Sequence, residues 1–171
     1  LRYLANFDVL TGLPNRTLLL SRLGIAISRA RALKEQVALL FIDLDRFKPI
    51  NDSLGHAAGD ELLRALGRRL TEVLGPEMLV ARLAGDEFTV VVEHVRDTAT
   101  VYRTANRLLS ALGDPIAVMG NELSITPSIG IALDPSPGDY AADLLKSADA
   151  AMYSAQSAGR NTLYRSWKRP A

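Results

Sequence analysis

Leu79-Val-Ala-Arg-Leu-Ala-Gly-Asp-Glu-Phe-Thr-Val-Val-Val92 decides how this chain folds. Two apolar runs, residues 79–83 with Arg82 among them and residues 88–92, flank the five residues Ala84-Gly85-Asp86-Glu87-Phe88. Both flanks have strand character, so the stretch predicts a β-hairpin with two adjacent carboxylates at its tip. Acidic groups on such a turn are costly unless something cationic neutralises them. A divalent metal with a phosphate-bearing substrate would do so.

Working outward, residues 37–42 are a continuous apolar run ending in Asp43-Leu44-Asp45, read as a central strand buried on both faces. Thr11-Gly-Leu-Pro-Asn15 has turn chemistry, and Asn15 is placed to cap a helix reaching about Ala32, with Leu19, Leu23 and Ile27 on one face. Helical character resumes around Phe47 and over residues 59–74, where Leu62, Leu63, Leu66, Leu70 and Val73 form a stripe. Beyond the hairpin, residues 97–112 read as an amphipathic helix and residues 115–125 as a hairpin turning at Gly120-Asn121. A strand over 128–133, a helix over 140–157 and a short strand over 161–164 follow. Residues 1–7 read as a short helical lead-in, residues 1–166 as one domain and residues 167–171 as the start of a linker. Helices alternating with strands predict an α+β domain with one mixed sheet covered by helices.

The 171 residues suit one domain with a sizeable core, and 48% hydrophobic with 23% charged residues is a globular balance. A formal net charge of +1 gives no sign of nucleic-acid or membrane-surface binding. Cysteine is absent, which excludes disulfides and thiolate metal sites and suits a cytoplasmic location. No apolar stretch approaches the roughly 20 residues that span a bilayer. The chain begins at Leu1 without a signal-peptide pattern, as expected of a piece of a longer protein, which leaves room for a membrane anchor elsewhere.

Asp43 lies where a buried strand ends, the place where ligands gather in open sheets. Asp43 and Asp86 could share one hard cation, and Asp45, two residues on, is a second candidate by strand alternation. The alternative is strand-end carboxylates that only solvate a loop. Asn51 with Asp60 offers a donor–acceptor set for a guanine edge, and Lys48 could reach a phosphate. Alternatively, Asn51 and Asp60 are helix N-caps. His56, in a Gly-flanked loop, reads as structural rather than as a base. Arg160, after Gly159, could clamp a triphosphate or merely follow a helix C-terminus.

Arg82-Leu-Ala-Gly-Asp-Glu-Phe88 resembles the signature hairpin of GGDEF domains, the diguanylate cyclases, in an AGDEF variant. The likeness extends from Asp8-Val-Leu-Thr-Gly-Leu-Pro-Asn-Arg16 through Phe41-Ile-Asp-Leu-Asp-Arg-Phe-Lys48, Asn51-Asp52, Gly55-His56 and Gly59-Asp60 to Ser128-Ile-Gly-Ile131 and Ala151-Met-Tyr153, ending at Gly159-Arg-Asn161. It implies a ferredoxin-like palm core of nucleotidyl-cyclase type. It implies Mg²⁺ or Mn²⁺ held by Asp43, the Leu44 carbonyl, Asp86 and Glu87, with Glu87 assisting deprotonation of a ribose 3′-hydroxyl. It also implies guanine recognition by Asn51 and Asp60, and phosphate contacts from Lys48 and Arg160. His56 belongs to the same substrate-side set, Arg82 orients the site, and the segment from Asp8 to Arg16 braces upstream helices.

Three departures from the family pattern stand out. Ala84 replaces a glycine, which would cost about 1 kcal/mol or more if a positive φ were needed there. Gln156 stands where a lysine is usual, removing a phosphate contact worth roughly 1.5–3 kcal/mol. Gly75-Pro-Glu-Met78 occupies the place of the family's inhibitory Arg-x-x-Asp product site, so feedback by that route is not expected. The resemblance implies condensation of two GTP into the second messenger cyclic di-GMP by a transient antiparallel homodimer, within a bacterial signalling protein carrying sensory or EAL domains. The rival reading is a GTP-binding module, weak or inactive as an enzyme, that regulates an attached EAL-type phosphodiesterase. A third is another palm-type cyclase or polymerase.

Overall fold

The structure is a computed structural model and describes residues 5–134 and 140–167. The elements are α1 (Arg16–Leu33), β1 (Gln36–Leu44), α2 (Phe47–Leu54), α3 (His56–Leu74), β2 (Leu79–Ala84), β3 (Glu87–Val95), α4 (Thr98–Gly113), β4 (Ile116–Val118), β5 (Asn121–Leu123), β6 (Pro127–Asp134), α5 (Ala141–Ser157) and β7 (Leu163–Arg165). Five strands form one sheet in the order β2-β3-β1-β6-β7, and β4 and β5 form a separate ribbon. β1 runs antiparallel to both β3 and β6, while β7 is parallel to β6, so the sheet is mixed. β1, α3, β2, β3, α4 and β6 make the β-α-β-β-α-β unit of ferredoxin-like folds, with β7 added at one edge.

The alternation along β1 builds two cores. Ala38, Leu40, Ile42 and Leu44 face α3 and α4, whereas Val37, Leu39 and Phe41 face α1 and α5. Both faces of the central strand are covered, which is why its sequence is apolar without interruption. Local chemistry sets the helix starts. Asn15 caps α1 by accepting from the Leu18 N–H at 3.1 Å, and Asp97 caps α4 by accepting from the Thr100 N–H at 3.0 Å.

Gly130 in β6 sets the height of α5 above the sheet. A Cβ at that position would lie 2.8 Å from Met152 Cα and closer still to the Ala148 carbonyl oxygen and the Met152 nitrogen. Only glycine lets the backbone of α5 come this near.

Several expectations shift in detail. α3 begins at His56, ahead of Gly59, with Gly55 in its N-cap position. The β4–β5 turn is Met119-Gly120, both at positive φ, and Asn121 already pairs with Val118. Asn51 and Asp60 cap no helix: Asn51 is inside α2 and Asp60 inside α3. Trp167 packs on Tyr102, their ring centroids 6.2 Å apart. Residues 168–171, read as linker, and residues 1–4 of the lead-in lie outside the described residues. Among the described residues no helix is long and apolar enough to cross a membrane.

Candidate active site

β1 and β3 run side by side, so Asp43 is the register partner of Glu87 and the hairpin tip falls beside the end of β1. The Leu44 N–H donates to the Asp86 carbonyl at 3.3 Å, tying tip to strand end. The Asp43 and Asp86 carboxylates come within hydrogen-bonding reach of one another. Burial, then the charge of Asp86 and that of Glu87, push Asp43 up to about 7, partly countered by a hydrogen bond from Gln156 Nε2 to Asp43 Oδ2 at 3.1 Å. Glu87 is also raised, first by burial, then by Asp149 and Asp86, while Arg16 opposes the shift.

Hard oxygen donors with an excess of negative charge suit a divalent cation. Two carboxylates at hydrogen-bonding distance can stay together only with a proton or a cation between them. Asp43 and Asp86 therefore fit Mg²⁺ or Mn²⁺. Among the described residues no three His, Asp or Glu side chains already enclose a common metal position, so further oxygens would have to come from the backbone or a phosphate-bearing ligand.

Asp45 does not join this cluster. Its side chain accepts from Thr126 Oγ1 at 2.6 Å, Ser128 Oγ at 2.6 Å and the Asn161 N–H at 2.9 Å, and it is buried. β1 ends at Leu44 and Arg46 turns left-handed at φ 57°, so strand alternation no longer governs residue 45. Asp45 pins the loop after β1 to β6 and to the segment after α5.

The hairpin is held from outside by Arg82. Its Nε donates to the Gly85 carbonyl at 2.9 Å and its Nη1 to Asp8 Oδ1 at 2.8 Å. Burial pushes Asp8 up, yet hydrogen bonds from the Thr11 hydroxyl and N–H and from Arg82 outweigh it and hold the carboxyl below its usual range. The N-terminal motif thus braces the signature turn. Within that turn Gly85 has φ 49°, whereas Ala84 is not at positive φ. The methyl of Ala84 therefore carries no backbone strain, and the expected conformational cost is absent.

A second cluster forms where α2 meets α3. Asn51 Nδ2 and His56 Nδ1 are 3.0 Å apart. Gly59 leaves space for the amide, since a Cβ there would overlap Asn51 Oδ1 and stand 3.0 Å from its Cγ. Asp60, half-buried, is the next residue of the same helix, and Lys48 is exposed on α2. Arg160, left-handed at φ 69°, lines a cavity of about 490 Å³ with Arg46, Asn161, Ile50 and Asp45. Asp45 and Arg46, in the loop after β1, form part of its wall. Sequence reading singled out these residues but missed Arg16 and Asp149. Asp149 shares a helical face with Gln156, seven residues on, and projecting α5 as a helix would have exposed the pair.

The family model described as "Diguanylate cyclase, GGDEF domain" matches residues 5–162. The chain is 44% identical over 163 residues to diguanylate cyclase TpbB of Pseudomonas aeruginosa, covering 95% of this chain and 38% of that protein. It is 40% identical over 161 residues to the cyclic di-GMP phosphodiesterase NbdA of the same organism, covering 94% of this chain and 20% of that protein. The chain thus spans only 38% and 20% of the length of these two curated relatives. A structure of TpbB comprising only the GGDEF domain superposes with a TM-score of 0.90 at 42% identity, covering 94% of each chain. With the hairpin, the paired aspartates and the sheet order in place, the chain belongs to the GGDEF domain family of diguanylate cyclases.

Proposed function

We propose that this domain condenses two GTP into cyclic di-GMP, releasing two pyrophosphates. The observation that carries this reading is the convergence of Asp43 and Asp86 beside Glu87, at the same end of the sheet as the Asn51–Asp60 cluster. Asn51 and Asp60 would read the guanine edge, with His56 fixing the Asn51 amide. Lys48 and Arg160 would meet the phosphates, Arg160 from the cavity beside the loop after β1. Asp43, Asp86 and the Leu44 carbonyl would hold Mg²⁺ or Mn²⁺, with Glu87 at its margin. When bound, such an ion lowers the pKa of a hydroxyl and offsets charge gathering on the α-phosphate and the departing pyrophosphate.

In each half-reaction a 3′-oxygen forms a bond to the α-phosphorus of the facing GTP and the bond to pyrophosphate breaks. The hydroxyl proton passes to a base, a role Glu87 would take, since burial and then the charges of Asp149 and Asp86 raise its affinity for protons. One domain holds one GTP, so two domains must face each other in an antiparallel homodimer. The location would be the cytoplasm, where GTP is found, and the partners would include sensory or EAL domains elsewhere in a longer chain.

The rival reading, a GTP-binding module controlling a phosphodiesterase domain, draws on Gln156 and on the resemblance to NbdA. Incubating concentrated protein with GTP and Mg²⁺ and chromatographing the products separates the two. Cyclic di-GMP that disappears in Asp86→Ala supports the cyclase. GTP binding without product at high protein concentration supports the regulatory module, and no GTP binding contradicts both.

A further inference from the structure

Gln156 and Asp43 are 113 residues apart in sequence, yet their side chains meet at 3.1 Å. The contact follows from the seating of α5. Gly130 lets the helix backbone press onto β6 at Ala148 and Met152, and Gln156, one turn beyond Met152, then overhangs the end of β1. The same helix brings Asp149 close enough to act on Glu87. Four carboxylates, those of Asp43, Asp86, Glu87 and Asp149, thus gather at one end of the sheet. Arg16 is the basic group that acts on Glu87. Among the described residues no lysine or arginine forms an ion pair with Asp43 or Asp86. What Asp43 receives instead is an amide, which orients a carboxylate without neutralising it.

We propose that Gln156 is a positioning residue: it pins one oxygen of Asp43 and, being uncharged, leaves the acidic cluster able to take a divalent cation before any nucleotide arrives. This rests on the cyclase reading of the site and adds an order of binding to it. A cation on the side chain at position 156 would supply part of the ion's charge in advance and compete with it. Even with water-like screening, a unit charge within about 6 Å of a divalent ion weakens its binding roughly tenfold.

The test is a titration of nucleotide-free protein with Mn²⁺, following the paramagnetic resonance signal of the free ion. The wild type, Gln156→Lys and Gln156→Met are compared, with thermal melting of each in EDTA alongside. Wild-type protein is expected to bind Mn²⁺ without GTP and Gln156→Lys to bind about tenfold more weakly or worse. Gln156→Met, uncharged but without the donor, should lose less. In EDTA, Gln156→Lys should melt above the wild type, because the lysine relieves repulsion among the carboxylates; a residue needed only for packing would move the melting point down. Equal Mn²⁺ affinity in wild type and Gln156→Lys, or a lower melting point for Gln156→Lys, overturns the inference and leaves the cyclase reading intact. Wild-type protein that takes Mn²⁺ only with GTP present does the same. Protein that takes no Mn²⁺ with or without GTP overturns both.

Discussion

Replacing Gly130 by alanine tests whether α5 is seated where the site requires it. The new Cβ would stand 2.8 Å from Met152 Cα, with the Ala148 oxygen and the Met152 nitrogen nearer still. Ordinary carbon–carbon contact begins at about 3.5 Å, so the helix must lift by roughly 0.7 Å or more. All three atoms are backbone, and no rotamer change can clear them. Lifting α5 loosens Leu144, Leu145, Ala148, Ala151, Met152 and Ala155, all buried against the sheet. Overpacking of this kind costs about 1–3 kcal/mol, and rigid neighbours put it at the upper end. Alanine recovers about 0.5–1 kcal/mol over glycine in a strand, leaving a net loss of about 2–2.5 kcal/mol. Urea titration should show a lower midpoint with an unchanged slope. Gly24→Ala is the control: a Cβ there meets nothing within 4 Å, and the helix should tolerate or favour it. A Gly130→Ala loss below about 1 kcal/mol would refute the close approach and, with it, the reason Gln156 reaches Asp43.

Asp43→Asn should stabilise the metal-free protein. Asp43 is pushed from 3.8 up to about 7, so its ionisation penalises the folded state. The penalty is absent below pH 4, grows as pH rises and is complete above pH 7. A shift of that size has a ceiling of about 4 kcal/mol, which screening at a partly exposed site reduces to about 1–2 kcal/mol. Melting in EDTA should show the gain at pH 8 and none at pH 3.5; no gain at pH 8 contradicts the carboxylate pairing. Asp8→Asn has the opposite sign. The Asp8–Arg82 pair is only 18% and 14% exposed, and the carboxyl is held low, so the variant should lose about 1–3 kcal/mol at pH 7. That difference should vanish as pH falls through the Asp8 pKa; a constant difference down to pH 2 would assign the loss to packing. Gly59→Ala meets the movable end of the Asn51 side chain, so stability should change by less than about 1 kcal/mol. GTP binding should weaken about tenfold, and unchanged GTP affinity would remove Asn51 from guanine recognition.

The parts of the fold legible in the sequence are those set by local chemistry or by burial on both faces. The run over residues 37–42 had to be central because no polar residue interrupts it, and Asn15 caps its helix through a bond three residues away. Met119 escaped because a methionine at positive φ contradicts its usual preference, which hid the true turn. Asp45 escaped because alternation predicts faces only while the strand lasts. Linear motifs brought out Asp43, Asp86, Glu87, Asn51 and Asp60 as a set. They could not show that Gln156 donates to Asp43, that Gly59 makes room for Asn51, or that Ala84 is free of strain. Each of these depends on atoms brought together by packing or on a dihedral angle.

The central claim is that Asp43 and Asp86 grip one divalent ion that orients a GTP whose base is read by Asn51 and Asp60. A crystal grown with Mn²⁺ and a GTP analogue that cannot release pyrophosphate tests it directly, with anomalous scattering locating the metal. The account predicts an anomalous peak between the two aspartates, phosphate oxygens completing its shell and the guanine edge on Asn51 and Asp60. A peak elsewhere, or a nucleotide bound with its base away from α2 and α3, would contradict it.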